Sequence, residues 1–229
     1  PEIFKAIRFG SITENVVLDP RTHDADYTDR SLTENTRCAY PVEFIGNSLV
    51  AGTAGPPSVI IFLTCDAFGV LPPIARLSRE AAMYHFMTGF TAKVAGTEEG
   101  VTDPEPTFSA LFGEPFMPLD PLEYADMLSK RMEQTNTRAY LVNTGWTGGP
   151  YGVGERFDLP ITRALITATL VGSIEEAEFV YDERFRFDVP TSCPGVNPIV
   201  LDPRLSWKDK QAYDAQADKL ARMFAANFA

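Results

Sequence analysis

The 229-residue chain carries 31 acidic against 20 basic side chains, a formal net charge of −11. That balance argues against a polyanion such as nucleic acid, which needs clustered Lys and Arg, but leaves room for a local basic pocket around one nucleotide. Hydrophobic residues at 45% and charged residues at 22% describe an ordinary soluble globule, with core material for one large domain or one domain with appendages.

Pro1 to Phe9 reads as a short helix or extended lead-in. The chain starts at Pro1 rather than Met, which points to a processed product or a piece cut from something longer. Asn15 to Leu18 reads as a strand, and Asp19 to Asp29 as a turn with a returning strand. Val59-Ile-Ile-Phe-Leu-Thr64 is a continuous β-branched and aromatic run, typical of a buried central strand. An aromatic helix includes Met83-Tyr-His-Phe86. Asp120-Pro-Leu-Glu123 is a helix start: Asp caps, Pro suits the first helical position and Glu follows three residues after the cap. Leu122, Ala125, Leu128 and Met132 then give that helix a buried stripe. Ala139 to Thr144 is a second buried strand, and Ala164 to Val171 a helix. Glu178 to Tyr181 and Phe185 to Val189 are short strands. Ser206-Trp-Lys-Asp209 opens a terminal helix with Tyr213, Ala217, Leu220 and Phe224 on one face. The pattern is α/β, a mixed sheet with flanking helices, without internal repeats or an interdomain linker.

Cys38, Cys65 and Cys193 are scattered, so they signal neither a zinc site nor a disulfide framework and read as buried free thiols of a cytoplasmic protein. No secretory leader and no membrane-length apolar run is present.

Five glycines lie between Gly145 and Gly154, after a strand and before a helix. Such a loop can bring backbone N–H groups close to an anion, yet it has no Gly-Lys-Ser/Thr ending. The alternative is a flexible surface connector. Arg156 beside Phe157 suits a purine ring or ribose better than a triphosphate. Arg37, in Thr33-Glu-Asn-Thr-Arg37, can clamp a phosphate or carboxylate, the alternative being a surface pair with Glu34. Asp66 is a lone carboxylate that could ligate metal or act as a base. His85 reads as a hydrogen-bonded core histidine. The Gly/Thr/Glu-rich stretch around residues 93–106 suits a mobile lid or a solvated loop.

Thr33-Glu-Asn-Thr-Arg37, Phe62-Leu-Thr-Cys-Asp-Ala-Phe-Gly-Val-Leu-Pro-Pro73, Tyr84-His-Phe86, Gly89-Phe-Thr-Ala-Lys-Val-Ala-Gly-Thr-Glu98, Thr107-Phe-Ser109 and Tyr140-Leu-Val-Asn-Thr-Gly-Trp146 together resemble, in that order, the ATP-dependent phosphoenolpyruvate carboxykinases. Asp202-Pro-Arg204 also fits. The resemblance runs nearly end to end. It implies that residues 1–229 are the C-terminal portion of that family's nucleotide-binding, mobile domain, with residues 93–106 as its lid loop. It also implies a gluconeogenic reaction in which oxaloacetate and ATP give phosphoenolpyruvate, carbon dioxide and ADP, with Mg2+ and Mn2+. In the family, decarboxylation yields an enolate whose oxygen attacks the γ-phosphate, and positive charge between them stabilises the transition state.

By the resemblance, Arg37 corresponds to the arginine that bridges γ-phosphate and substrate. Arg156 corresponds to an arginine at the nucleotide, with Phe157 on the adenine side and Thr162 near the base. The phosphate-binding loop and the metal ligands belong to an upstream portion with no counterpart here, so this chain holds no metal ligand, and alone is expected to be inactive. It carries Glu98-Glu99 where many members have an acidic-basic pair. A different class stays open from the residues themselves: a stand-alone, non-catalytic α/β module that binds a nucleotide or a protein.

Overall fold

A computed structural model describes residues 2–33, 36–94 and 103–228. The chain divides into two compact units, Pro1–Gly55 with Lys93–Asp103, and Pro56–Ala92 with Pro104–Ala229. Most of the proposed lid, residues 95–102, and the Glu34 alternative partner of Arg37 lie outside the described residues.

The first unit is built from short pieces. Helix α1 (Glu2–Ala6) precedes strands β1 (Ile12–Glu14), β2 (Val17–Leu18), β3 (Ala25–Asp26) and β4 (Arg37–Ala39). β1 pairs antiparallel with β4, setting Glu14 opposite Arg37, and β2 with β3. The polar stretch after β2 closes as a turn because the Asp19 carboxylate accepts the N–H groups of Arg21 and Thr22 at 2.7 and 2.9 Å.

The second unit holds the main sheet. Its elements are β5 (Val59–Thr64), β6 (Ile74–Leu77), α2 (Arg79–Thr88), β7 (Phe90–Lys93), β8 (Glu105–Phe108), α3 (Pro121–Thr135), β9 (Arg138–Asn143), β10 (Trp146–Thr147), β11 (Glu155–Arg156) and α4 (Leu159–Val171). They continue through β12 (Phe179–Asp182), β13 (Phe187–Pro190), α5 (Pro198–Leu201), α6 (Pro203–Ser206) and α7 (Lys210–Phe228). The five-stranded order is β12-β13-β6-β9-β5, with β5 parallel to β9 and every other pair antiparallel. The sheet is therefore mixed, as the sequence suggests. β5 is an edge strand rather than a central one, and Leu63 is 58% exposed. The strand between Pro73 and Ser78, β6, falls in a stretch for which the sequence analysis names no element.

β9 explains why the sheet has helices on both faces. Its side chains alternate, so Ala139 and Leu141 join one buried cluster while Tyr140 and Val142 join another. The first cluster is completed by α2 and by Tyr213, Ala217, Leu220 and Phe224 of α7. The second is completed by Leu165 and Ala168 of α4 and by Leu201. On that second face Arg76, opposite Tyr140 in the ladder, bonds Glu175 at 3.0 Å and Asp188 at 3.3 Å. The Tyr140 hydroxyl also donates to Glu175, so a charged group beside the sheet is fully paired.

The helix starts follow their local chemistry. Asp120 accepts the N–H of Leu122 at 2.8 Å with Pro121 next, and Asn136 closes α3 in the left-handed conformation. Ala125 and Met132 of the expected stripe are buried, but Leu122, in the first turn, is 58% exposed. α7 is opened by Asp209, which accepts from Gln211 and Ala212, while Ser206 ends α6. The cysteines are free, with Cys65 and Cys193 buried and Cys38 only half-buried.

His85 lies in α2 among Tyr84, Phe187 and Phe224 and donates Nε2–H to the Phe185 carbonyl at 2.8 Å. Burial pushes its pKa down to about 4, against the opposing pull of that hydrogen bond. The unfolded chain therefore binds the extra proton between pH 6.5 and 4, and this contribution to stability falls as pH drops through that window. Glutamine keeps a donor for Phe185 but cannot titrate. The deficit of His85→Gln relative to the parent should thus shrink by about 2 kcal/mol between pH 7.5 and pH 5. Denaturant midpoints at the two pH values measure it, and a constant deficit would contradict a neutral buried imidazole.

Candidate functional site

Two loops at one end of the sheet interlock. The first follows β5, from Cys65 to Pro73, and the second follows β9, from Thr144 to Glu155. Backbone bonds lace them together: Thr144 N–H to Thr64 O at 2.9 Å, Trp146 N–H to Asp66 O at 2.9 Å, and Tyr151 N–H to Ala67 O at 2.9 Å. Glycine permits this approach. A Cβ on Gly145 would lie 2.6 Å from the Asp66 carbonyl carbon, and one on Gly69 would lie 2.6 Å from that of Gly149.

Two buried polar side chains organise the crossing. Asp66 is fully buried, and its carboxylate accepts the N–H groups of Phe68, Val70 and Leu71 at 2.8, 2.7 and 2.8 Å. Burial lifts its pKa to about 6, although those backbone bonds oppose the rise. This carboxylate is a loop organiser, shielded from solvent, and not the exposed ligand or base that a lone Asp suggests. Asn143, 1% exposed, accepts from Asp66 N–H and Gly145 N–H at 2.9 and 2.8 Å and donates to the Leu71 carbonyl at 3.0 Å. From the far side, Trp207 Nε1–H donates to Gly69 O at 2.7 Å and the Tyr213 hydroxyl to Val70 O at 3.1 Å.

The glycine run is thus neither a loose connector nor an open cradle. The Gly145 N–H is taken by Asn143, and the Gly154 N–H donates to Pro150 O at 2.8 Å. The second loop ends in β11, which pairs with β10 so that Arg156 lies opposite Trp146. Arg156 Nε–H donates to the Thr144 carbonyl at 2.9 Å, and its guanidinium carbon lies 5.4 Å from the Trp146 ring centroid. The Cys65 sulfur is 4.0 Å from Nη2. Burial raises the Cys65 pKa, and the Arg156 charge pulls the other way. A thiol, an indole and a carbonyl thereby locate an exposed cation.

Among known proteins, a family model described as phosphoenolpyruvate carboxykinase matches residues 1–198. The chain belongs to the phosphoenolpyruvate carboxykinase family. It is 56% identical over 228 residues to the phosphoenolpyruvate carboxykinase (ATP) of Fusobacterium nucleatum, covering all of this chain and 43% of that protein. It is 58% identical to that of Sinorhizobium medicae and 57% identical to that of Brucella anthropi, again over the whole chain, with 43% and 42% of each relative covered. The chain therefore spans less than half the length of these curated relatives.

The carboxykinase residues expected from the sequence fall as follows. Arg37 is exposed on β4 in the first unit. Arg156, Phe157 and Thr162 lie in the second unit, at the end of the interlocked loops and in the first turns of α4. Phe157 is 7% exposed, and its N–H donates to Gly145 O at 2.9 Å. Its side chain is thus largely buried next to the exposed Arg156 in sequence. Thr162 is half-buried, with Oγ1 at 3.5 Å from Asp158 O, a long contact that a better partner can displace. Arg204 is held by Asp214 at 3.0 Å, and Asp214 also meets Arg184 at 3.3 Å. Among the described residues no three His, Cys, Asp or Glu side chains converge as a metal site, and no helix is long and apolar enough to cross a membrane. An apolar cleft of about 380 Å³ between the β12–β13 hairpin and α5–α6 includes none of Arg156, Phe157 or Thr162.

Proposed function

We propose that this chain is a C-terminal portion of an ATP-dependent phosphoenolpyruvate carboxykinase that converts oxaloacetate and ATP to phosphoenolpyruvate, carbon dioxide and ADP in gluconeogenesis. The observation that carries the reading is the match to curated carboxykinases along the whole chain, at 53–58% identity. In this reading ATP supplies the phosphoryl group. Arg156 meets the adenine or ribose side of the nucleotide with the guanidinium surface not engaged by Thr144, supported by Phe157, and Thr162 offers its hydroxyl near the base. Arg37 places its fixed positive charge between γ-phosphate and substrate. Mg2+ and Mn2+ are cofactors of the family, but the described residues contain no ligand set that fits them, so no step here is assigned to a metal.

The test is a chimera in which this chain replaces the matching 43% of the Fusobacterium nucleatum carboxykinase. The chimera should form phosphoenolpyruvate from oxaloacetate only when ATP is present. A folded chimera that binds ATP without turnover would favour the non-catalytic module instead. The chain by itself should show no tight Mg-ATP binding by calorimetry, because a phosphate-binding lysine loop does not occur in it.

In the chimera, Arg37→Ala should lower kcat by roughly 10²- to 10³-fold, the cost of removing a preorganised donor to developing charge. KM for ATP should change far less. Loss of ATP affinity at unchanged kcat would remove Arg37 from the bridging role.

A further inference from the structure

Arg156 is an exposed arginine whose short hydrogen bond, at 2.9 Å, goes to one backbone carbonyl, that of Thr144, while the Cys65 sulfur and the Trp146 ring are looser contacts at 4.0 and 5.4 Å. A long side chain with many rotamers is not fixed by one such bond unless the acceptor is itself immobile. Thr144 is held because the residue before it, Asn143, carries a buried amide that grips both the residue after it, Gly145, and the facing loop at Asp66. Asn143 Oδ1 takes Gly145 N–H on one side and Asp66 N–H across the loop crossing, at 2.8 and 2.9 Å. Its Nδ2 holds the Leu71 carbonyl at 3.0 Å. Thr144 N–H is bound in turn to Thr64 O at 2.9 Å.

The residue type is specific to this task. One planar head must accept two N–H groups and donate to a carbonyl, which an amide does. A carboxylate would face the Leu71 carbonyl with no donor, and alanine would strand two buried N–H groups and one C=O.

We propose that Asn143 is a positioning residue for nucleotide recognition. By pinning the Thr144 carbonyl it sets the Arg156 guanidinium, and its loss weakens adenine-nucleotide binding through Arg156. This inference rests on the reading of Arg156 as the nucleotide-side cation, and the two can fail separately.

The test is a double-mutant cycle in the chimera, with ATP as the varied substrate. Asn143→Ala should raise KM for ATP about tenfold. KM for oxaloacetate and kcat should stay within about twofold. In an Arg156→Ala background the same change should add nothing to KM for ATP. Increases in KM that simply multiply would overturn the positioning role, as would a fall in kcat alone, which is what a smaller folded fraction produces. If Arg156→Ala leaves KM for ATP unchanged, the nucleotide-side reading of Arg156 itself fails, and the inference with it. Should Asn143→Ala not fold, Asn143→Leu in this chain, which keeps the side-chain volume but removes the acceptor for the Gly145 and Asp66 N–H groups, gives a readout independent of activity. The Arg156 Nε–H resonance should exchange slowly with solvent in the parent and rapidly in the variant; retained protection would overturn the proposal.

Discussion

Replacing Gly145 by alanine is expected to destabilise the chain by about 4 kcal/mol. The new methyl would meet the backbone of Asp66, with the carbonyl carbon 2.6 Å away, and backbone cannot rotate aside as a side-chain tip can. Relief requires the two loops to part, which breaks Trp146 N–H to Asp66 O and strains the Asn143 bridges. Gly152→Ala is the control: it has φ near +81° and open space where a Cβ would go. It should cost only the left-handed backbone penalty, about 1–2 kcal/mol. Urea unfolding of both variants separates collision from conformational strain. Equal losses at the two positions would show that the crossing is looser than described.

Phe224→Ala should cost about 3–5 kcal/mol, the range for emptying a large aromatic site in a close-packed core. Phe224 is 1% exposed and packs against Tyr84, His85, Phe90, Phe108 and Phe185, with ring centroids 5.0 to 6.1 Å apart. It joins α7 to α2, to β7 and β8, and to the turn before β13, so the space it leaves cannot close by moving one side chain. Phe224→Leu retains most of the apolar volume and should lose about 1–2 kcal/mol. The midpoint in denaturant should shift while the slope stays constant. A loss below about 1.5 kcal/mol for the alanine variant would contradict the rigidity of this cluster.

The sequence was most legible where the signal is local. α3 shows its Asp-Pro start, α7 its apolar face, and β9 its unbroken apolar run, because caps and periodicity act within a few residues. β5 was recognised as a strand but misplaced within the sheet, since a strand's neighbours are set by pairing across the fold. β6 escaped because Ile74-Ala-Arg-Leu77 is short and its arginine interrupts the apolar pattern; Arg76 is half-buried, paired with Glu175 and Asp188 and with its guanidinium 3.7 Å from the Phe179 ring. Asn143 and Asp66 were overlooked or misread for one reason. Their partners are mostly backbone groups, which carry no residue identity to read. A polar residue ending an apolar strand directly before Thr144 and Gly145 was the available hint.

The tail of the molecule has a practical bearing on that loop crossing. Residues 199–229 lie past the stretch that the family model covers. Even so, Trp207 and Tyr213 cap the carbonyls of Gly69 and Val70 from behind. A trimmed version ending before Trp207 would lose both donors and open those carbonyls, with the apolar face that α7 covers, to water.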